Sequence, residues 1–259
     1  FNRHPTRRAA FLPAPTPPWS PAAPGHTGAM QDLALGLGAR FSSGEDQPAF
    51  WAPVSVRRRA DGTDAVFPHF VLDRSKPGTV CIDATGRRFV NEARSYHAFG
   101  KAMFEAHGSR PTIPCFIVTD AVGLKRYGLG QVRMGTRDLA PFLADGYLVE
   151  GRTAAELAAK IGVPAAALAA TLAEMTEAAR TGVDPAFHRG ETAYERHNGD
   201  AAHAGPNPTL GPIATAPFYA VRLHVGDIGA ARGLVIDAGA RALDADDRPI
   251  PGLWACGNE

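Results

Sequence analysis

Gly86-Arg87-Arg88-Phe89-Val90-Asn91-Glu92, continued by Ala93-Arg94-Ser95-Tyr96-His97, is the stretch on which the fold is decided. Just before it, Val80 and Ile82 alternate with polar neighbours. Ala84-Thr85-Gly86 has turn chemistry and Arg88-Phe89-Val90 offers a return, so a β-hairpin is predicted over 78–90. A helix is predicted to follow over about 95–107. On this reading Asn91 and Glu92 lead into a helix start, and Tyr96 and His97 fall in its first turn.

Working outward, IPCFIVT (113–119) is a short apolar run ending at Asp120, the pattern of a buried strand. Thr153 with Glu156 makes a capping box that opens a helix to about Lys160. Pro164 then starts a second helix, whose Leu168, Leu172, Met175 and Ala179 line one face until Gly182 ends it. That stripe reads as core packing. Toward the N-terminus, Pro13, Pro15, Pro17, Pro18, Pro21 and Pro24 break up residues 1–28, which form either a linker or a loop lying against a larger body. TGAMQDLALGLGA (27–39) is predicted as a helix capped by Thr27, with Met30, Leu33, Leu35 and Leu37 as its apolar surface. Toward the C-terminus, GLVIDAGARALDADDRPIPGLWACG (233–257) predicts three short strands in a β-meander.

Composition excludes several classes. The chain has 259 residues, 45% of them hydrophobic, and 27 basic against 26 acidic residues give a net charge of +1. Bulk charge therefore recruits neither nucleic acid nor an anionic membrane. No apolar run approaches the ~18 residues of a membrane helix. The three cysteines, Cys81, Cys115 and Cys256, are scattered without C-x-x-C spacing and read as reduced thiols of a cytoplasmic protein. There is no G-x-G-x-x-G, G-x-x-x-x-G-K-[ST], G-x-S-x-G or H-E-x-x-H, and the nine histidines show no metal-ligand spacing. The chain starts without a methionine in a polar stretch and stops directly after an apolar strand, as expected of an interior segment of a longer protein.

Several stretches occur in a telling order: FLPAPTPPWS and PGHTG near the start, GRRFVNEARSYH, PAFHRGETAYERHNGD (185–200), PNPTLGPIATAPFYAVRLHVGDIGAARGL (206–234) and DADDRPIPGLWACGN (244–258). Together they resemble the flavoproteins of the fumarate reductase and 3-ketosteroid dehydrogenase superfamily, over nearly the whole chain. The resemblance implies an α+β fold. A substrate-capping, catalytic domain at 57–222 would be flanked by partial segments of a Rossmann-like FAD-binding domain at 1–56 and 223–259. It departs from the pattern where Thr27-Gly28 precede Ala29-Met30 instead of Asp-Gly, and where Arg232 replaces a frequent glycine.

The resemblance also implies roles. FAD is the cofactor of the full-length parent, and an external electron acceptor reoxidises it. Tyr96 matches an active-site tyrosine of the ketosteroid branch, with Ser95 and His97 beside it in the substrate pocket. Gly229 and Gly233 would let the backbone approach the flavin, and Gly257 with Asn258 would contact its ribityl region. The carbonyl-polarising pair of that family lies beyond residue 259. In the fumarate reductase branch an arginine associated with proton delivery stands at about Tyr96, a histidine pair that holds the dicarboxylate at about Ile228-Gly229, and a catalytic arginine loop near Gly123-Leu124; all three charged features are missing here. A desolvated dicarboxylate needs such cations, so a bulky apolar ketone is favoured over fumarate as the small-molecule substrate. For Tyr96 and His97, plain packing or a solvated helix start are the competing readings. Tyr194 and Tyr219 read as structural, and Arg189 as half of a structural salt bridge. Two alternatives stay open: a dicarboxylate oxidoreductase of the same superfamily, and a non-catalytic binding or interaction module. The chain by itself, without a phosphate loop, is expected to bind no flavin and to be inactive.

Overall fold

A computed structural model of the chain describes residues 1–4, 6–43 and 46–257. In its first part the described elements are α1 (Arg7–Phe11), α2 (Ala29–Gly36), β1 (Ala49–Arg58), β2 (Asp64–Pro68), α3 (Val71–Arg74), β3 (Thr79–Ile82) and α4 (Tyr96–His107). There follow β4 (Cys115–Asp120), α5 (Ala121–Tyr127), α6 (Ala140–Ala144), β5 (Leu148–Gly151), α7 (Ala154–Ile161), α8 (Ala165–Thr181), α9 (Ala193–Asn198), β6 (Phe218–Ala230), β7 (Arg241–Leu243) and β8 (Pro249–Trp254). They fall into two compact units, one of Phe1–Trp51 with Gly226–Glu259 and one of Ala52–Val225. Helix and sheet are mixed, as an α+β chain requires.

The larger unit is built on a sheet ordered β2-β1-β6-β4-β3, with β5 also pairing to β6. Register explains its core. Val80 lies opposite Val118, Ile82 opposite Phe116, and Val118 opposite Ala220, so these side chains share one face. That face packs on Leu157 and Ile161 of α7 and on Leu168, Leu172, Met175 and Ala179 of α8. The two helices form where their sequence signals stand. Thr153 Oγ1 accepts from the Glu156 amide at 3.1 Å, Pro164 caps α8, and Gly182 ends it in the left-handed region. Glu156 reaches back to the Arg152 amide at 3.0 Å, one residue earlier than a standard capping box.

The predicted hairpin over 78–90 does not form. β3 pairs with β4, while Arg88-Phe89-Val90 leaves the sheet without strand structure. A turn closes between Asp83 and Arg87 as expected, but the Glu92 carboxylate then takes the Cys81 amide at 3.1 Å. A side chain thus satisfies the edge donor that a returning strand would have used. The helix that follows is α4, and its N-cap Ser95 accepts from the Ala98 amide.

In the smaller unit, residues 1–28 lie against a body as one of the two readings held, and they contain the short helix α1. Phe1, Asn2 and Ser20 are fully buried. Asn2 and Arg8 both bond the buried Asp227 carboxylate, and Ser20 Oγ donates to the Asp227 carbonyl at 2.7 Å. Burial raises the pKa of Asp227 despite Arg8 and Asn2 beside it. α2 departs from expectation in two ways. Gly28, in the left-handed region, stands at its N-cap in place of Thr27. Its inward face is Gln31 and Ala34 with the expected Leu35 packed beside them, whereas Met30, Leu33 and Leu37 are exposed. The C-terminal stretch forms two strands, β7 and β8, plus isolated bridges from Leu234 to Phe41 and from Ile236 to Ala242, instead of three strands.

Candidate functional site

Asn91 and Glu92 are both buried, and each ties the approach to Tyr96 to a different part of the larger unit. Asn91 Nδ2 donates to the Phe187 carbonyl and to Glu195 Oε1, both at 3.1 Å. Glu92 accepts from Arg88 at 2.9 and 2.7 Å and from Arg189 at 3.2 Å, and Arg88 also forks onto Asp184 at 2.9 and 2.7 Å. Burial works to raise the Glu92 pKa, yet Arg88 and Arg189 outweigh it and hold the carboxyl below its ordinary value. Arg189 is fully buried and further donates to the carbonyls of Thr79, Arg74 and Lys76. The motif that decided the fold is thus a buried charge network, and Arg189 is a structural partner within it.

That network delivers Tyr96 to the first turn of α4. Its ring meets the Phe70 ring edge-on, centroids 5.1 Å apart and planes at 65°. Tyr96 is half-buried, and among the described residues nothing bonds its hydroxyl. Ser95 is committed to capping the helix through Oγ. His97 is half-buried, and burial with the nearby Lys101 charge pulls its pKa below the ordinary value. The structure therefore brings Ser95, Tyr96 and His97 together at one helix start beside Phe70. Tyr219 is buried in β6, where burial and the Glu150 charge push its phenol up to about 12. Tyr194 is 49% exposed.

Phe70 was invisible in the sequence, and so was what holds it. Its neighbour His69 is fully buried, with Nδ1 at 2.5 Å from Asp73 and Nε2 at 2.7 Å from Ser55 Oγ. Ser55 Oγ lies 2.7 Å from the Tyr147 hydroxyl, which accepts from the Gln131 amide at 2.8 Å. Burial pushes the Tyr147 phenol up to about 12. The Asp73-His69-Ser55 order imitates a hydrolytic triad. Ser55 and His69 have no exposed surface, however, and a Cβ on Gly130 would meet Tyr147 Oη at 2.2 Å and His69 Cε1 at 2.9 Å. No acyl group reaches that serine, and the network pins the segment leading into α3. Gly130 sits at φ +58, so Gly130→Ala combines a clash with left-handed strain. It is expected to destabilise the protein by about 1–3 kcal/mol, read as a lower midpoint in denaturant.

The glycines assigned to the flavin lie in the smaller unit. Gly229 is buried in β6. The Gly233 amide donates to Ser42 Oγ at 3.1 Å and its carbonyl accepts from the Ser42 amide at 2.8 Å, so both its polar groups are taken. Gly257 is left-handed at φ +78, and a Cβ there would meet nothing within 4 Å. Asn258 lies outside the described residues. Beside Gly257 the space is therefore open. No described loop offers the glycine-rich cradle a pyrophosphate needs.

The chain belongs to the FAD binding domain family, whose model matches residues 2–259. It is 38% identical over 233 residues to 4-oxocyclohex-2-ene-1-carboxylate 5-dehydrogenase of Sinomonas cyclohexanicum, covering 90% of this chain and 39% of that protein. It is 36% identical over 265 residues to 3-oxosteroid 1-dehydrogenase of Mycolicibacterium smegmatis, covering 100% of this chain and 45% of that protein. Among solved structures it matches 3-ketosteroid delta1-dehydrogenase from Sterolibacterium denitrificans in complex with 1,4-androstadiene-3,17-dione. That match has a TM-score of 0.89 at 34% identity and covers 100% of this chain and 46% of that one. The chain thus spans less than half the length of these relatives.

Proposed function

We infer that this chain is the substrate-capping part, with adjoining flavin-domain segments, of an FAD-dependent dehydrogenase that desaturates a bulky, apolar ring ketone beside its carbonyl. The observation that carries the reading is the uncommitted Tyr96 hydroxyl at the start of α4, its ring fixed against Phe70. The two dehydrogenases above share an oxo group on a ring in their names. Residues 52–225 would be the cap, and 1–51 with 226–259 the flavin-domain segments.

FAD, when bound, supplies the acceptor for the hydride lost from the β carbon. The chain's own share is the proton. Tyr96 Oη, as the phenolate left once its own proton has passed to a base outside this chain, takes the proton from the carbon α to the carbonyl, while Phe70 and the half-buried helix start cover one side of the ring. Gly229 and Gly257 would lie against the isoalloxazine and ribityl parts. The phosphates require residues that this chain does not supply. Two free buried thiols and one exposed thiol, Cys256, suit the cytoplasm, and an external acceptor would reoxidise the flavin. At Tyr96, Ile228-Gly229 and Gly123-Leu124 there is no cation for a dicarboxylate.

The test uses the full-length protein. It is expected to be yellow and to convert a 3-ketosteroid to its dienone with a dye as acceptor, whereas residues 1–259 alone are expected to be colourless and inactive. A full-length protein that is colourless and cannot be reconstituted with FAD would overturn the reading. Preference for an oxocyclohexanecarboxylate would replace the steroid part and leave the ring ketone.

A further inference from the structure

Arg74 is fully buried, and each of its hydrogen bonds goes to a main-chain carbonyl. Nε donates to the His69 carbonyl at 3.0 Å, immediately before Phe70. The two terminal nitrogens donate to the carbonyls of Glu92 and Arg94, the latter at 3.2 Å and two residues before Tyr96. The guanidinium also stands 4.5 Å from the centre of the Phe99 ring, three residues beyond Tyr96 on α4. The base of the side chain is fixed in turn. Its carbonyl accepts from Thr79 Oγ1 at 3.0 Å and from Arg189 at 3.1 Å.

Burial lowers the pKa of this arginine, and a buried guanidinium is an unfavourable way merely to fill space. What it does that an apolar side chain cannot is join two segments distant in sequence by one rigid fork. One segment carries Phe70 and the other Tyr96, and their rings touch. Resting on the ring-ketone reading above, we propose that Arg74 is a positioning residue. It fixes the Phe70 ring against the Tyr96 ring and so sets where the Tyr96 hydroxyl meets the substrate's α carbon. A lysine keeps the charge but has no planar fork and cannot hold three carbonyls in that geometry. Displacement of a reacting group by about 1 Å can cost on the order of 100-fold in rate.

The experiment compares wild type, Arg74→Lys, Phe99→Leu, Phe70→Leu and Tyr96→Phe in the full-length flavin-loaded protein. Steady-state kinetics on a 3-ketosteroid is one readout. The other is ¹⁹F NMR of 3-fluorotyrosine-labelled protein, with the Tyr96 resonance assigned by its loss in Tyr96→Phe. Arg74→Lys is expected to keep its flavin and a cooperative melt, to lower kcat about 10- to 100-fold with a smaller change in KM, and to move the Tyr96 resonance toward its Phe70→Leu position. Phe99→Leu, which removes the ring under the guanidinium together with its edge contact with Phe89, is expected to move both readouts the same way by a smaller amount. A folded Arg74→Lys protein with kcat and resonance unchanged overturns the proposal. So does an Arg74→Lys protein that cannot fold alongside an unchanged Phe99→Leu, since Arg74 would then be purely structural. If wild type turns over no ring ketone, the functional reading fails, and the resonance alone decides whether Arg74 sets the ring geometry.

Discussion

Tyr96→Phe in the full-length protein is expected to lower kcat for ring-ketone desaturation by roughly 10²- to 10⁴-fold, the range for losing a positioned proton acceptor. The substitution removes one oxygen. The ring that meets Phe70 at 5.1 Å remains, and nothing described loses a hydrogen bond, because the hydroxyl makes none. Folding, flavin content and KM are therefore expected to stay close to wild type, with the loss confined to the proton step. Steady-state kinetics beside the flavin absorbance spectrum checks this. A kcat within threefold of wild type would return Tyr96 to a packing role and remove the chain's share of the chemistry. Hydrogen–deuterium exchange at the substrate's α carbon gives a second readout, since wild type should catalyse it faster than the variant.

How much of this was legible in the sequence depends on the range of the interactions. Local signals located α7 and α8 well, because a capping box, a helix-opening proline and left-handed glycines act within a few residues, and α4 formed over the expected 95–107. β4 could be read from its apolar run. The hairpin at 78–90 failed because its outcome was decided by Glu92 reaching back to Cys81, a side-chain contact that no strand propensity encodes. α2 was read only in part: Leu35 does pack on the core, but Gln31 and Ala34 are the residues buried with it, while Met30, Leu33 and Leu37 stay exposed. Tyr96 was found through an ordered motif. Phe70 and Arg74 carry no local mark at all, because their meaning lies in contacts with residues 92–99. The same holds for Ser55, His69 and Tyr147, which lie far apart in sequence and meet only in the fold.

Glu92→Gln is expected to be the most destabilising conservative change in the larger unit. Glu92 is the carboxylate shared by Arg88 and Arg189, it has no exposed surface, and the Arg189 guanidinium has no other acidic partner within bonding distance among the described residues. Removing its charge leaves Arg189 buried and uncompensated, and breaking one side of a buried pair in this way costs about 3–5 kcal/mol. Arg88 keeps Asp184 and is less affected. The acid dependence follows from the same carboxylates. Glu92 and Asp184 both have folded-state pKa values below their ordinary ones. Their stabilisation is thus present above the unfolded values, about 4.3 and 3.9, and is lost as pH falls through the lower folded values. Wild type should lose stability steeply on acidification below about pH 4.3. Glu92→Gln, having already lost its share, should start lower at pH 7 and fall less steeply. Denaturant titrations at neutral pH and across the acid range measure both quantities. A loss under about 1 kcal/mol at pH 7 would mean that the network adapts around a neutral amide, and that the approach to Tyr96 is held by Asn91 and Arg74 instead.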